Sequence, residues 1–287
     1  MNFFLSKRNV IIIILMVLGV VLFFLFKSKP VEVTKIDDSK PVMTIIGTSV
    51  EGRNIEAYTF GKGEKHLFFV GGIHGGYEWN SVMLAYKFLD YLTLNPEIIF
   101  SNLTVTVIPS ANPDGLYQVT KKDGRFAVSD VINNLPNGTG RFNVHGVDLN
   151  RNFDCNWQAT STWKGNTVSA GTKPFSEPEA LALKNFILKD KPLATVFWHS
   201  QSNAVYASQC ERGILSETVN IMDTYAKASG YPAIKTFDSY AVTGAVEDWL
   251  ASINIPAITV ELKTHETIEW EQNLAGIKAL FDYYGQK

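Results

Sequence analysis

The sequence predicts an α/β domain with a mixed, mostly parallel central sheet flanked by helices. Three observations lead there. Short apolar runs alternate along residues 42–287 with segments whose apolar residues recur at helical spacing. One of those runs, HLFFVGG at 66–72, ends in glycines, as expected of a buried central strand. The composition, 46% hydrophobic and 19% charged with 2 Cys in 287 residues, excludes a disordered chain, a collagen-like repeat and a disulfide-dense scaffold.

The first element precedes the domain. Val10 to Phe26 read VIIIILMVLGVVLFFLF, 17 residues without a polar side chain. As a helix they reach about 26 Å, a little short of a hydrocarbon core of roughly 30 Å. Lys7, Arg8, Lys27 and Lys29 flank the run and can snorkel to make up the difference. A cleaved signal peptide is the competing reading. The run exceeds a usual signal core, and FKSKPVEV offers no small-x-small cleavage site. A signal-anchor at 1–29, forming one N-terminal transmembrane helix, is therefore expected, followed by a polar linker at 30–41 and one domain at 42–287. With only that tether between anchor and body, no large prodomain is expected. The basic flanks are nearly balanced, so they do not orient the helix.

Formal charge supports this division. The chain carries −2, but residues 1–29 hold four basic side chains and no acid. The remaining 258 residues hold 22 basic and 28 acidic groups, a balance of −6. A mildly acidic body without a basic stripe gives no footprint for nucleic acid.

Within the body, VMTIIGTS (42–49) and NIEAYTFG (54–61) read as paired strands joined around Glu51-Gly52-Arg53. A helix is expected over 79–92, a strand over 103–110, and a long irregular excursion rich in Asn, Gly and Asp over 111–174. So long a loop tends to carry function. Ser176 with Glu179 forms a capping box for a helix running to Leu188. Strands at 194–200 and 257–262 and helices at 215–229, 246–253 and 270–284 complete the alternation.

Chemistry gathers at strand ends. His74 and Glu78 lie in GGIHGGYEWN directly after the 66–72 strand, His199 ends ATVFWHS, and Glu261 ends ITVEL. Ligands in α/β sheets collect outside the carboxyl ends of strands. Two histidines and a carboxylate form a His₂Glu set that leaves one zinc position open, the arrangement of thermolysin and carboxypeptidase A. A further carboxylate must accept a proton from the attacking water, and Glu261 is the candidate. Each residue alone has an ordinary structural reading. His66, His145 and His265 lie in no comparable setting and keep that reading.

The pieces and their order are more specific. GGIHGGYEWN, NPDG (112–115), GVDLNRNF (146–153), FSEPEA (175–180), FWHS and ITVEL together resemble the zinc carboxypeptidase family, from about residue 42 to the C-terminus. The resemblance implies one Zn²⁺ held by His74, Glu78 and His199, with Glu261 as general base. It implies Asn150 and Arg151 as the pair holding the substrate's terminal carboxylate, Arg suiting this through its bidentate fork. Asp148 matches the acid that orients the first zinc histidine. Tyr240 stands where the family has a tyrosine that closes over the bound terminus. Arg141 matches the arginine that polarises the scissile carbonyl, with Arg125 as the fallback.

Glu247 matches the base of the family's side-chain pocket, where an acid suits a C-terminal Lys or Arg, or the free amine of diaminopimelate. An exposed helix-start residue is the competing reading. Cys155 and Cys210 both follow active-site segments closely and are expected to pair if the domain is exported. Two departures stand out: three residues rather than two separate His74 from Glu78, and the arginine common within that motif is missing. The implied function is a membrane-anchored, extracytoplasmic zinc carboxypeptidase acting on peptides. A cell-wall stem-peptide peptidase and an inactive peptide-binding relative are the alternatives.

Overall fold

Phe68 and Phe69 are consecutive on one strand yet belong to different halves of the hydrophobic core. Side chains alternate faces along a strand, so this strand is buried on both sides and lies inside a three-layer domain. The computed structural model describes residues 40–287. The expected anchor at 1–29, and the linker as far as residue 39, lie outside the described residues. Among the described residues no helix is long and apolar enough to cross a membrane.

The elements in chain order are β1 (Val42–Thr48), β2 (Asn54–Gly61), β3 (Lys65–Val70), α1 (Trp79–Leu94), β4 (Leu103–Ile108) and α2 (Pro113–Thr120). Next come β5 (Thr160–Trp163), β6 (Asn166–Ser169), α3 (Pro178–Asp190), β7 (Ala194–Ser200) and β8 (Ala204–Ala207). The chain closes with α4 (Ser216–Ser229), β9 (Ala233–Ile234), α5 (Val246–Ser252), β10 (Ala257–Leu262) and α6 (Trp270–Gly285).

Eight strands form one sheet in the order β1-β2-β4-β3-β7-β10-β8-β9. The central pairs β4–β3, β3–β7 and β7–β10 are parallel, as is β8–β9 at one edge. β1–β2, β2–β4 and β10–β8 are antiparallel. The sheet is mixed, with its parallel part in the middle, and helices cover both faces. Phe88 of α1, Tyr225 of α4 and Phe281 of α6 pack with Phe69 and Trp198 on one side. Leu183 of α3 and Leu250 of α5 pack with Phe68 and Phe197 on the other. Each such buried side chain contributes about 1.5–3 kcal/mol.

The capping box expected at Ser176 is not formed. Pro178 occupies the first helical position, where its missing N–H costs nothing, and this moves the N-cap to Glu177. Ser176 Oγ instead donates to Glu177 Oε1 at 2.7 Å and accepts from Asn152 Nδ2 at 3.0 Å. The excursion at 111–174 is also more ordered than expected. Asn112 caps α2 by accepting the Gly115 N–H at 2.9 Å, with Pro113 next in the chain. β5 and β6 pair as a hairpin whose turn residues, Lys164 and Gly165, both have positive φ, 48° and 80°. That turn geometry suits the twist of the two strands.

β3 leads to β4 on one flank, while β7 joins its other flank. The chain direction across the sheet therefore reverses at β3, which opens a crevice beyond the carboxyl ends of β3 and β7.

Candidate active site

Beyond β3, Gly71 and Gly72 carry the chain to His74. Gly75 turns with φ +46°, and a Cβ there would stand 2.6 Å from the Gly140 carbonyl oxygen, so glycine is required. A single 3₁₀ turn over Gly75–Glu78 follows, and α1 starts at Trp79. This turn absorbs the extra residue of the His-x-x-x-Glu spacing. It brings His74 Nδ1 to 2.7 Å from Glu78 Oε1.

His199 reaches the same carboxylate from β7, its Nδ1 lying 3.2 Å from Glu78 Oε2. One donor atom from each of His74, Glu78 and His199 lies within 4.8 Å of the other two, and all three residues are buried. Ligands about 2.0–2.1 Å from one ion stand roughly 3.4 Å apart, so small side-chain shifts suffice for a shared cation. Both imidazoles present Nδ1 inward and carry a carboxylate behind. Asp148 Oδ1 lies 3.3 Å from His74 Nε2, within ion-pair range but off hydrogen-bond alignment, so that this nitrogen has no hydrogen-bond partner. Glu247 Oε1 accepts from His199 Nε2 at 2.9 Å. Acids behind ligating histidines are the usual support of a zinc site. The donor set fits zinc.

Charge is balanced within this buried cluster. Burial pushes the Glu78 carboxyl up, but the charges of His74 and His199 outweigh it and hold the group well below the carboxylate range. Burial likewise opposes ionisation of Asp148, whereas the Arg141 and Arg151 charges hold it well below its ordinary value. Arg141 is buried, with Nε and Nη2 donating to Asp148 Oδ2 at 3.1 and 2.8 Å and Nη1 3.6 Å from Glu78 Oε1. Glu261, by contrast, faces no cation at hydrogen-bond distance, and its Oε2 is buried without a partner. Burial first, and the Glu78 charge second, push it up to about 7.

On the flank of the crevice, Asp148 Oδ1 accepts the Asn150 N–H at 3.1 Å and starts a single 3₁₀ turn over Leu149–Arg151. Arg151 donates Nη1 to the Asn150 carbonyl at 2.7 Å and Nη2 to the Thr162 carbonyl at 3.2 Å, while its Nε is buried and unpartnered. Gly244 lies against this segment so closely that a Cβ would stand 2.2 Å from the Arg151 carbonyl oxygen. Tyr240 is half-buried on the neighbouring loop, its ring 4.9 Å from that of Phe237. A disulfide joins Cys155 to Cys210 and ties the Arg151 segment to the chain beyond β8. Asn150, Arg151 and Tyr240 line a cavity of about 420 Å³ together with the His–Glu–His cluster and Glu261.

Residues 34–276 match the family described as zinc carboxypeptidase. The chain belongs to the zinc carboxypeptidase family. It is 26% identical over 255 residues to gamma-D-glutamyl-L-diamino acid endopeptidase 1 of Lysinibacillus sphaericus, covering 80% of this chain and 63% of that protein. It is 28% identical over 226 residues to carboxypeptidase O of Bos taurus, covering 71% and 58%. Among solved structures it resembles murein-tripeptide amidase from Escherichia coli O157, with TM-score 0.60 and 25% identity over 84% of this chain and 92% of that one. The chain thus spans about three-fifths of the length of these two curated relatives.

Within this zinc carboxypeptidase-family domain, the residues singled out from sequence converge on one crevice, with two corrections. Arg125 is outside it: exposed and paired to Asp90 at 2.8 and 3.0 Å, whereas Arg141 lines the cavity. Glu247 is not an exposed helix-start residue. It is 3% exposed and lines the cavity, and its Oε1 accepts from His199 Nε2.

Several lining residues were missed. Trp163 and Lys164 sit at the tip of the β5–β6 hairpin, and the Arg141 guanidinium stacks 4.6 Å from the Trp163 ring centroid. The alternating pattern of TSTW and NTVS around Lys-Gly was the signal for it. His265, left with an ordinary reading, bonds Ser200 Oγ at 2.6 Å and packs on Tyr77 beside the crevice. His66 and His145 pair with Asp190 and Glu177 outside the cavity.

Proposed function

We propose that this chain is a membrane-anchored zinc metallocarboxypeptidase that works outside the cytoplasm and removes the C-terminal residue of peptides. The observation that carries this reading is Arg151: a guanidinium lining the cavity with a buried, unpartnered Nε, beside a zinc-compatible His₂Glu cluster. A buried donor without a partner is costly, and a substrate's terminal carboxylate would satisfy it with a charge-assisted bond.

His74, Glu78 and His199 would hold a zinc ion, which would supply Lewis-acid polarisation of the carbonyl and a lowered pKa for the attacking water. Glu261 Oε2 takes the proton from that water and delivers it to the leaving amine. Arg151 and Asn150 hold the free carboxylate, and Tyr240 closes over it. Arg141 offers Nη1 to the negative charge that develops on the scissile oxygen. Export is supported by the Cys155–Cys210 bond, which persists in oxidising compartments. The anchor rests on the apolar run at 10–26.

A second reading of the same site is a peptidase that trims cell-wall stem peptides at diaminopimelate. It is favoured by the likeness to a gamma-D-glutamyl-L-diamino acid endopeptidase and a murein-tripeptide amidase. One panel separates the readings: the full chain assayed on peptides ending in Lys, Arg, Phe or Glu and on diaminopimelate stem peptides, each with and without chelator. Release of the last residue, blocked by chelator, supports the carboxypeptidase. Turnover confined to stem peptides supports the second reading, and binding of any peptide without turnover overturns both.

A further inference from the structure

Glu247 stands where the family resemblance puts a specificity residue, yet its geometry is that of a support for a metal ligand. The first turn of α5 is pinned from two directions: Val246 N–H donates to Asn150 Oδ1 at 2.8 Å, and Asp248 Oδ1 accepts the Gln209 N–H at 2.9 Å. Glu247, held between them, is 3% exposed and directs Oε1 at His199 Nε2.

We infer that Glu247 is a positioning residue for His199: by accepting the Nε2–H it fixes the tautomer that leaves Nδ1 free to bind the metal. This rests on the zinc reading above. An imidazole has two nitrogens, and with Nε2 protonated and anchored, only Nδ1 keeps a lone pair for a cation. The crevice then carries two parallel devices. Asp148 stands behind His74 and is itself held by Arg141, while Glu247 stands behind His199 on a helix turn that Asn150 holds through the Val246 N–H. Asn150 also belongs to the pair proposed to grip the substrate carboxylate, so one side chain serves the substrate end and pins the turn that carries the metal support. A carboxylate committed to His199 is correspondingly poor as counter-ion to a basic substrate side chain. The carboxypeptidase therefore does not owe any preference for Lys or Arg to Glu247.

The test measures zinc affinity by competition with a chromophoric chelator for the full chain, Glu247→Gln and Glu247→Leu, with folding of each checked by circular dichroism. Zinc-saturated proteins are then assayed on two peptides that differ only in a C-terminal Lys or Phe. Expected is a loss of about 10–100-fold in zinc affinity for Glu247→Leu, the range seen when such supports are removed. A smaller loss is expected for Glu247→Gln, with the Lys-to-Phe ratio of kcat/KM unchanged in both. If Glu247→Leu does not fold, Glu247→Gln, with the same shape, carries the test. Unchanged zinc affinity in the folded variants overturns the inference, as does a collapse of the Lys-to-Phe ratio, which restores the specificity role. A parent chain that binds no zinc overturns the zinc reading itself.

Discussion

Glu261 of β10 is the register partner of His199 of β7 in a parallel strand pair. Register partners project to the same face, so the unpartnered carboxylate and the imidazole emerge side by side from the ends of adjacent strands. A slip of one residue would turn Glu261 away from the crevice. The sheet register thus sets the distance between the proposed base and the metal site.

Replacing Glu261 with Gln keeps its shape and removes the proton acceptor. The expected fall in kcat is about 10²–10⁴-fold with zinc content retained. Turnover requires the carboxylate form, so kcat/KM rises with pH through an acid limb. Burial and the Glu78 charge place Glu261 at about 7 without metal, and a bound dication pulls that limb lower. The pH profile of kcat/KM with zinc bound checks this: a limb above about 7 contradicts the assignment.

Arg151→Ala removes the unpartnered donor. For peptides with a free C-terminus, kcat/KM should fall by roughly 10–150-fold, the value of a hydrogen bond to a charged group. Peptides with an amidated C-terminus should be poor substrates for the parent and little affected by the substitution. Steady-state kinetics on the paired peptides decides it.

Asp248 is partly buried beside Glu247, and this desolvation pushes its pKa up to about 7 from 3.8. A group raised on folding favours the folded state fully below the unfolded value and loses that contribution as pH rises through the folded value. Stability should therefore fall between about pH 4 and pH 7 through this residue. Asp248→Asn still accepts the Gln209 N–H and should be more stable than the parent at pH 8, with a flatter pH dependence. Thermal melts across that window measure the difference.

Cys155 and Cys210 close a loop of 55 residues behind the Arg151 segment. Changing both to Ser should cost about 2–5 kcal/mol in unfolding free energy. It should also raise KM more than it lowers kcat, because the bond braces the carboxylate-binding side rather than the metal ligands. Denaturant unfolding and steady-state kinetics of the double variant test the two parts.

Much of this was legible in the residues themselves. HLFFV and ATVFW announce strands buried on both faces because neither has a side that could face water. The helices at α1, α4 and α6 follow from apolar spacing. What escaped is mostly short or locally ambiguous. β8 has four residues, too few for a period to show. Ser176 has a capping signature, but Pro178 moves the helix start past it. The choice between Arg141 and Arg125 could not be read from a loop of variable length. The fold separates the two: Arg141 lines the cavity and meets the buried Asp148, whereas Arg125 pairs with the solvent-exposed Asp90.

By itself the sequence determined the alternation of strands and helices, the family, and the identities of the groups that gather at the strand ends. Those are local properties, carried by period, turn residues and short motifs. Tertiary structure decided what each polar group spends its bonds on. The 3₁₀ turn at Gly75–Glu78 lets His74 and Glu78 meet despite the added residue, and the pinned start of α5 brings the Glu247 carboxylate to His199. A buried carboxylate must find a donor, and which donor is near depends on how distant segments pack. No spacing along the chain records that.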